Sequence, residues 1–244
     1  MKAIGVIPAR WASTRFEGKV LADINGKPMV QWVWEKAKQC HRLEDVWIAC
    51  DDAKIVAAVK KFGGKSVLTS ADHPSGSDRI AEAVRDVKVD IVVNIQADEP
   101  LIDPGVIDHL VDALQKDKQA MMATVIKQIT SQEEYENPNV VKVVIDQNQN
   151  ALYFSRSPIP YSRERKKVNE FICYKHLGLY AYRKNFLLTF TPWPKSILES
   201  TEQLEQLRVL EAGHRIKTIC TDKDTVGVDT PEDLQRVKNL LGVK

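Results

Sequence analysis

The segment AIGVI, residues 3–7, is the stretch that decides the fold class of this 244-residue chain. It is short and rich in β-branched residues, and it is apolar on both faces of the strand that it predicts. Strands that are buried on both faces are typical of parallel sheets covered by helices. The segment therefore predicts a buried parallel strand.

Outward from this strand, segments with helical periodicity alternate with further apolar strands. Helices are predicted at 28–39, 53–62 and 77–87, and strands at 46–50, 66–68 and 91–95. An alternation of strand and helix predicts parallel βαβ units joined by right-handed crossovers. We therefore expect an α/β fold with an open, Rossmann-like, doubly wound sheet that is mostly parallel.

The second half of the chain is less regular. Its strands are predicted at 140–146, 151–154, 177–182 and 216–220, and its helices at 198–211 and from 229 onward. No internal repeat, low-complexity tract or long linker divides the sequence. We expect a single domain over residues 1–244, with a smaller substrate-side lobe inserted in the second half.

The composition argues against several classes of protein. The 35 basic and 33 acidic residues leave a net charge of +2, too balanced for a general binder of nucleic acid. No apolar run has the length of a membrane span, and the apolar stretch near the start is too short for a signal peptide. The four cysteines lie far apart without a C-x-x-C pair, which indicates reduced thiols in a cytoplasmic protein.

Three cations follow the first predicted strand, in the segment PARWASTRFEGK at 8–19: Arg10, Arg15 and Lys19. Ligands of open α/β sheets bind at the carboxyl ends of the strands. Guanidinium groups can fork onto phosphate oxygens, and an ammonium group adds a point charge. The segment lacks the Walker A and G-x-G-x-x-G patterns. The residues alone leave two interpretations open, a polyphosphate-binding loop and a solvated basic loop.

Acidic residues follow another predicted strand, in NIQADEP at 94–100. Asp98 can hold Mg²⁺ against substrate phosphates, because Mg²⁺ takes one or two carboxylates together with phosphate oxygens. A capped turn before the helix that follows Pro104 is the alternative.

Two further segments are consistent with a nucleotide site. In GVDTPED at 227–233, Asp229 is either a second metal ligand or the N-cap of a helix. The segment HPSGSDR at 73–79 leads into a helix whose first backbone amides can meet a base edge or a phosphate. Taken alone, this second segment is also explained as an ordinary capped helix start.

The order of these motifs along the chain is more specific than any one of them. From about Lys2 to Val237 the chain contains, in order, IPARWASTRFEGK (7–19), DINGKPM (23–29), ADHPSGSDR (71–79), NIQADEP (94–100), NPNVVKVV (137–144), ALYFSRSPIP (151–160), KHLGLYAYR (175–183), LEQLRVLEAG (204–213) and GVDTPEDL (227–234). In this series the sequence closely resembles the 3-deoxy-manno-octulosonate cytidylyltransferases, also called CMP-Kdo synthetases, a family of nucleotide-sugar cytidylyltransferases.

The resemblance implies a nucleotide-diphospho-sugar transferase-like fold, Mg²⁺ as the cofactor, and the reaction CTP + Kdo → CMP-Kdo + pyrophosphate. The residues that match the family's catalytic positions are Arg10, Arg15, Lys19 and Asp98, and the matches to its metal-binding aspartates are Asp98 and Asp229. The matches to its nucleotide pocket are Pro8, Ala9, Arg10, Lys19, Ser75, Gly76 and Arg79. The matches to its sugar-acid site are Gln96, Arg156, His176, Tyr180, Glu205 and Gln206.

Four of the sugar-side matches also have plain structural interpretations. Tyr180 alternates with leucines and is also explained as a core residue, and His176 is also explained as part of a capping network. Glu205 and Gln206 lie in an amphipathic helical pattern, where solvated polar side chains are usual.

Two positions depart from the family's usual residues. Ala97 stands where glycine is usual, and a left-handed backbone conformation there would be strained. Glu17 stands where proline is usual, and its charge is expected to point to solvent or to pair with Arg15 or Lys19.

The resemblance also implies a cellular context. It indicates a cytoplasmic enzyme that supplies activated Kdo for lipopolysaccharide biosynthesis, and a homodimer near the leucine stripe of 198–211. Two alternatives remain open: the same chemistry on 8-amino-Kdo or on a sialic acid, and a non-catalytic nucleotide-binding regulator of the same fold. The sugar-side matches favour Kdo over a sialic acid.

Overall fold

Strands and helices alternate through the part of the chain that the computed structural model describes, residues 1–12, 17–164 and 166–242. The strands are β1 (Ala3–Ala9), β2 (Asp23–Ile24), β3 (Lys27–Pro28), β4 (Asp45–Cys50), β5 (Lys65–Leu68), β6 (Ile91–Asn94), β7 (Met122–Gln128), β8 (Lys142–Ile145), β9 (Ala151–Ser155), β10 (Tyr174–Arg183) and β11 (Ile216–Cys220). The α-helices are α1 (Met29–Ala37), α2 (Ala53–Lys61), α3 (Gly76–Val84), α4 (Pro104–Lys116), α5 (Gln132–Glu136), α6 (Lys184–Phe190), α7 (Ile197–Glu202), α8 (Gln206–Glu211) and α9 (Pro231–Gly242). None of the helices in these ranges has both the length and the apolar character needed to cross a membrane.

The main sheet has the strand order β11-β7-β10-β6-β1-β4-β5, and β8 and β9 extend it beside β10. Neighbours among β6, β1, β4 and β5 pair in parallel, as do β11 and β7. Only β10 is reversed on this path, because it pairs antiparallel with both β6 and β7. The expected mostly parallel sheet is confirmed. Strand β7 has no counterpart among the predicted strands.

The core lies on both faces of this sheet. Along β1, Ala3 and Ile7 contact one hydrophobic cluster, whereas Ile4 and Val6 contact another. The first cluster includes residues of α1, α2 and α4, and the second includes residues of α3, α6 and α8. Helices therefore cover both faces, which confirms the doubly wound arrangement and explains why AIGVI is apolar throughout.

The helix predicted over 198–211 is wrong as a single element. The chain forms α7 and α8 instead, and Gln203 between them has a left-handed conformation with φ 55°. This break lets Arg208 reach back to Glu199, with two guanidinium–carboxylate hydrogen bonds of 2.8 and 2.9 Å. Both side chains are buried, so their pairing compensates for the interrupted helix.

The inserted lobe is attached to the sheet through β8 and β9. Its small core contains Ile129, Tyr135, Val168 and Cys173. At its base, the fully buried Lys142 donates hydrogen bonds to three backbone carbonyl groups, which connect β8 to the loops beside it. The lobe therefore continues the same sheet.

Candidate active site

A cleft lies at the carboxyl ends of β1 and β6, which are parallel neighbours in the sheet. This is the edge at which open α/β sheets bind ligands. The cleft has a volume of about 510 Å³ and is lined by Pro8, Arg10, Lys19, Val20, His73, Pro74, Ser75, Gly76, Arg79, Gln96, Ala97, Asp98 and Asp229. Segments far apart in the sequence therefore meet at one site.

Lys19 lies between the two aspartates of the cleft. Its Nζ is 2.7 Å from Oδ2 of Asp98 and 3.0 Å from Oδ1 of Asp229. The two acidic segments are joined through the backbone, because the N–H of Val228 donates to the carbonyl oxygen of Asp98 at 2.9 Å. The carboxylates thus converge on a single cation.

The charge state of Lys19 follows from this arrangement. Burial lowers its pKa, but the attraction of Asp98 and the hydrogen bonds to Asp98 and Asp229 outweigh that effect and leave the pKa raised. Lys19 is therefore an ammonium cation at neutral pH.

Asp229 is not the N-cap of α9. The hydroxyl of Thr230 accepts a hydrogen bond from the backbone N–H of Asp233 at 3.2 Å, and the Asp233 carboxylate accepts from the N–H of Thr230 at 3.0 Å. This reciprocal pair caps the helix. The N-cap interpretation of Asp229 is wrong, and its carboxylate faces Lys19 instead.

The donor set of Asp98 and Asp229 fits a magnesium ion. Mg²⁺ prefers oxygen ligands and usually takes only one or two carboxylates from the protein, with water and substrate phosphates completing its shell. Within the described ranges, no group of three or more His, Cys, Asp or Glu side chains is placed to hold a metal. A shared ion at the two carboxylates would therefore complete its shell with oxygen atoms of water and substrate.

Glu99, next to Asp98, is buried and has a raised pKa. It is 8% exposed, and its Oε2 has no hydrogen-bond partner among the described residues. Burial, together with the nearby charge of Asp98, raises the pKa of Glu99 to about 8. At neutral pH this side chain is mostly a neutral acid.

The raised pKa predicts a pH-dependent stability. Between the ordinary value of 4.5 and about 8, folded Glu99 holds a proton that the unfolded chain has released. Stability therefore falls as the pH rises through this window. In urea titrations without divalent metal, we expect the wild type to lose stability relative to Glu99→Gln between about pH 5 and pH 9. A wild type that gained stability relative to this variant as the pH rises through this window would contradict the raised pKa of Glu99.

Trp11 contacts two residues near the other end of the basic segment 8–19. Its carbonyl accepts from the N–H of Gly18 at 3.1 Å, and its indole N–H donates to Oε1 of Glu17 at 3.0 Å. Glu17 is exposed, in agreement with the expectation that its charge points to solvent, and the bond from the indole also holds one of its carboxylate oxygens. Arg15 itself lies outside the described residues.

Arg79, expected to bind the nucleotide, lines the cleft but is already engaged by the protein. Its guanidinium donates to Asp51 at 2.9 Å, to the hydroxyl of Thr69 at 2.7 Å and to the carbonyl of Ser70 at 3.1 Å. The other oxygen of Asp51 accepts the backbone N–H of Trp11 at 2.8 Å. Asp51 and Arg79 thus connect the wall of the cleft to Trp11 in the basic segment 8–19.

The start of α3 forms the opposite wall. Ser75 caps this helix by accepting the N–H of Asp78, and Gly76 lies against Pro8. A Cβ at position 76 would lie 3.3 Å from Cγ of Pro8, so glycine allows this close approach. Ala9, also expected here, is fully buried and does not line the cleft.

Four residues of the cleft wall were given no site role from the sequence: Val20, His73, Pro74 and Ala97. His73 lies inside the quoted segment 71–79, and its Nε2 contacts the carboxylate of Glu82. A histidine just before a helix that carries a glutamate nine positions later was the available signal.

Most of the expected sugar-side residues form a separate group outside the lining of the cleft. His176 and Tyr180 have ring centroids 5.3 Å apart, and the Tyr180 hydroxyl donates to Oε1 of Gln206 at 3.2 Å. Gln206 is 3% exposed, and its Nε2 has no partner among the described residues. The solvated interpretation of Gln206 is therefore wrong, and this amide offers an unused donor.

His176, Gln96 and Arg156 have different surroundings. The surroundings of the His176 ring lower its pKa to about 3, because burial disfavours the charged form. The ring is therefore neutral at pH 7, and its Nε2 is hydrogen-bonded to the hydroxyl of Thr124 at 2.8 Å. Gln96 lines the cleft and donates to the carbonyl of Gly178 at 3.0 Å. Arg156 lies outside the cleft lining, where its Nε donates to the carbonyl of Glu202 and its Nη1 to that of Pro138.

Similarity to known proteins extends over nearly the whole chain. A family model described as Cytidylyltransferase matches residues 4–218. The chain belongs to the cytidylyltransferase family. Its α/β fold and its enzyme class, a nucleotidyltransferase, are therefore confirmed.

Within this family, the similar proteins share one name. The chain is 49% identical to a 3-deoxy-manno-octulosonate cytidylyltransferase of Geotalea daltonii, over 99% of this chain and 98% of the relative. It is 51% identical to a protein of the same name from Syntrophobacter fumaroxidans, over 99% and 97%. A solved structure described as CMP:2-keto-3-deoxy-manno-octonic acid synthetase complexed with CTP matches with a TM-score of 0.94 and 44% identity, over 99% of both chains.

The alanine that departs from the family's usual glycine causes no backbone strain in this cytidylyltransferase. Among the described residues, the non-glycine positions with positive φ are Asn25, Gln149 and Gln203. Ala97 therefore has an ordinary backbone conformation. It is 7% exposed, so its methyl group packs inside the wall of the cleft.

Proposed function

We propose that this cytidylyltransferase, as a single domain over residues 1–244, activates Kdo by the reaction CTP + Kdo → CMP-Kdo + pyrophosphate. The observation that carries the proposal is the convergence of Lys19, Asp98 and Asp229 at the strand ends of a cleft. The relatives named for this activity, identical at about half of their positions, support the choice of substrate.

In this proposal, the nucleotide occupies the cleft between β1 and α3. Pro8, Ser75 and Gly76 line its walls, while Ala9 and Arg79 support them from behind. Arg10 is exposed on the cleft and contacts the phosphates, joined by Lys19 and, from the sequence, by Arg15. The negative charge of a triphosphate complements these three cations, which favours binding of the phosphates beside them.

Asp98 and Asp229 hold Mg²⁺ in this proposal. When bound, the ion supplies charge neutralisation for the phosphates and lowers the pKa of the attacking sugar hydroxyl. The ammonium group of Lys19, which lies between the two carboxylates, would stabilise the negative charge that develops on pyrophosphate.

The chemistry proposed is an in-line displacement at the α-phosphorus. The anomeric oxygen of Kdo forms the new bond to phosphorus, the bond to the bridging oxygen of pyrophosphate breaks, and the hydroxyl proton leaves to solvent. Positioning and charge neutralisation supply most of the catalysis of such transfers, so no covalent enzyme intermediate is needed.

The sugar acid is placed beside the cleft by Gln96, Arg156, His176, Tyr180, Glu205 and Gln206. The unused Nε2 donor of Gln206 supports this placement, because a buried amide without a partner is costly and a sugar oxygen would satisfy it. The neutral ring of His176 is suited to hydrogen bonding with a hydroxyl group rather than to holding charge.

A homodimer in the cytoplasm, acting in lipopolysaccharide biosynthesis, completes the proposal. Leu204 and Leu207 are buried within the core of the chain, so they are not available to a partner. Ile197 and Leu152 are 79% and 60% exposed, and they are better candidates for a contact between subunits. Sedimentation at micromolar concentration tests the dimer, and a monomer would contradict it.

Release of pyrophosphate tests the reaction. With Mg²⁺ and CTP, we expect release with Kdo and little or none with 8-amino-Kdo, with a sialic acid, or with UTP in place of CTP. A preference for the amino sugar would keep the mechanism and change the substrate. No pyrophosphate release with any of the three sugar acids would favour the interpretation as a non-catalytic nucleotide-binding regulator.

A further inference from the structure

Ser77, in the first turn of α3, connects the nucleotide wall of the cleft to the sugar-side group. Its Oγ donates to Oε1 of Glu205 at 2.5 Å, across a sequence separation of 128 residues. Ser77 is 3% exposed, so the donor of this bond is buried, whereas the Glu205 side chain is 28% exposed. It follows directly after Gly76, which lines the cleft.

The hydroxyl of Ser77 is not needed by its own helix. Ser75 already caps α3 by accepting the N–H of Asp78 at 3.2 Å. The hydroxyl of Tyr182 lies 3.3 Å from the Ser77 Oγ and holds it from the side of β10. The Ser77 hydroxyl is therefore oriented by tertiary contacts toward Glu205.

Glu205 has few competing contacts. Its nearest basic group, the guanidinium of Arg208, is 3.9 Å from Oε2 and is already paired closely with Glu199. Burial raises the pKa of Glu205, and the hydrogen bonds from Ser77 and Ser75 only partly offset this. The short bond from Ser77 thus holds Oε1 of this carboxyl group in place.

We propose that Ser77 is a positioning residue that fixes Glu205 for the sugar acid and ties the sugar side to the nucleotide wall. The proposal rests on the proposed function, in which Glu205 contacts the sugar. A carboxyl group held in one rotamer binds a sugar hydroxyl without the entropy cost of ordering it first. Loss of the Ser77 hydroxyl therefore weakens binding of the sugar acid and leaves binding of CTP unchanged.

Steady-state kinetics of Ser77→Ala and Ser77→Thr test this role. Loss of a hydrogen bond to an acidic group predicts that Ser77→Ala raises KM for the sugar acid about 10-fold or more. KM for CTP is expected to stay within about 2-fold, because Ser77 does not line the cleft. Ser77→Thr keeps the hydroxyl and is expected to restore KM for the sugar acid to within about 3-fold of the wild type.

The matched control is Thr218→Val, which removes another buried hydroxyl, bonded to the carbonyl of Gln149 at 2.9 Å on the far edge of the sheet. It is expected to change stability but neither KM. Equal changes in both KM values of Ser77→Ala, no change in either, or failure of threonine to rescue would overturn the positioning role. If Ser77→Ala does not fold, KM for the sugar acid is compared among the wild type, Ser77→Thr and Ser77→Cys. The thiol of cysteine is a weak donor, so Ser77→Cys is then expected to raise this KM while Ser77→Thr keeps it near the wild-type value. A wild type inactive with every sugar acid overturns the proposed function first, and this role with it.

Discussion

Turnover of Asp98→Asn at saturating CTP is expected to be about 1,000-fold or more below that of the wild type, because a carboxylate that holds a metal ion supplies several kcal/mol of charge stabilisation. Asp98 is bonded to Lys19 at 2.7 Å, and an amide in its place would remove the negative charge that holds Lys19 and, in the proposed function, the metal. The side chain is 31% exposed, so the fold should tolerate the change. Pyrophosphate release and circular dichroism measure the two effects.

Asp103→Asn is the matched control for this variant. Asp103 lies five residues further along the chain and caps α4 by accepting the N–H of Gly105 at 2.8 Å. Asparagine caps a helix as well as aspartate does, so this variant should keep both fold and activity. Near-normal turnover of Asp98→Asn at saturating Mg²⁺ would contradict the role of Asp98.

Asp51→Ala is expected to destabilise the chain by about 3–5 kcal/mol, the usual cost of leaving one member of a buried ion pair alone. The Asp51 and Arg79 side chains are only 8% and 4% exposed. The substitution leaves the guanidinium of Arg79 without its anion and the N–H of Trp11 without its acceptor. Urea unfolding monitored by circular dichroism measures the loss.

The neighbouring Asp52 provides the control. Asp52 caps α2 by accepting the N–H of Lys54 at 2.6 Å, and Asp52→Ala should cost only about 1 kcal/mol, as for other N-cap losses. Equal losses in the two variants would mean that Asp51 acts as an ordinary surface carboxylate. Such a result would contradict the connection that Asp51 makes between Arg79 and Trp11.

The first half of the fold was predictable because its signals are local. Each strand from β1 to β6 along the main sheet is a short apolar run, and each helix between them has its own apolar stripe. Turns at glycines 63 and 64 and caps such as Asp52 and Ser75 mark the boundaries. These features are present in the sequence before any tertiary contact forms.

Two of the differences from the prediction, in β7 and in the segment 198–211, arise because tertiary contacts override the local signals. In β7, Thr124 interrupts the apolar run, but its buried hydroxyl is satisfied by the carbonyl of Leu179 on β10 at 2.9 Å. In the segment 198–211, helical periodicity continues across Gln203, yet the buried pair of Glu199 and Arg208 requires the break. Neither partner can be identified from the segment itself.

The sequence by itself determined the alternation of strands and helices and named Lys19, Asp98 and Asp229 as candidates, because each follows or begins a regular element. Only the tertiary structure decided what these residues do together. It placed Lys19 between the two carboxylates, assigned the cap of α9 to Thr230 and Asp233, and turned Ser77 toward Glu205. Periodicity is a property of neighbouring residues. The contacts of Lys19 with Asp98 and of Ser77 with Glu205 instead join residues more than 70 positions apart in the sequence. At the start of α9, neighbouring side chains compete for one cap, and the sequence pattern does not show which of them takes it.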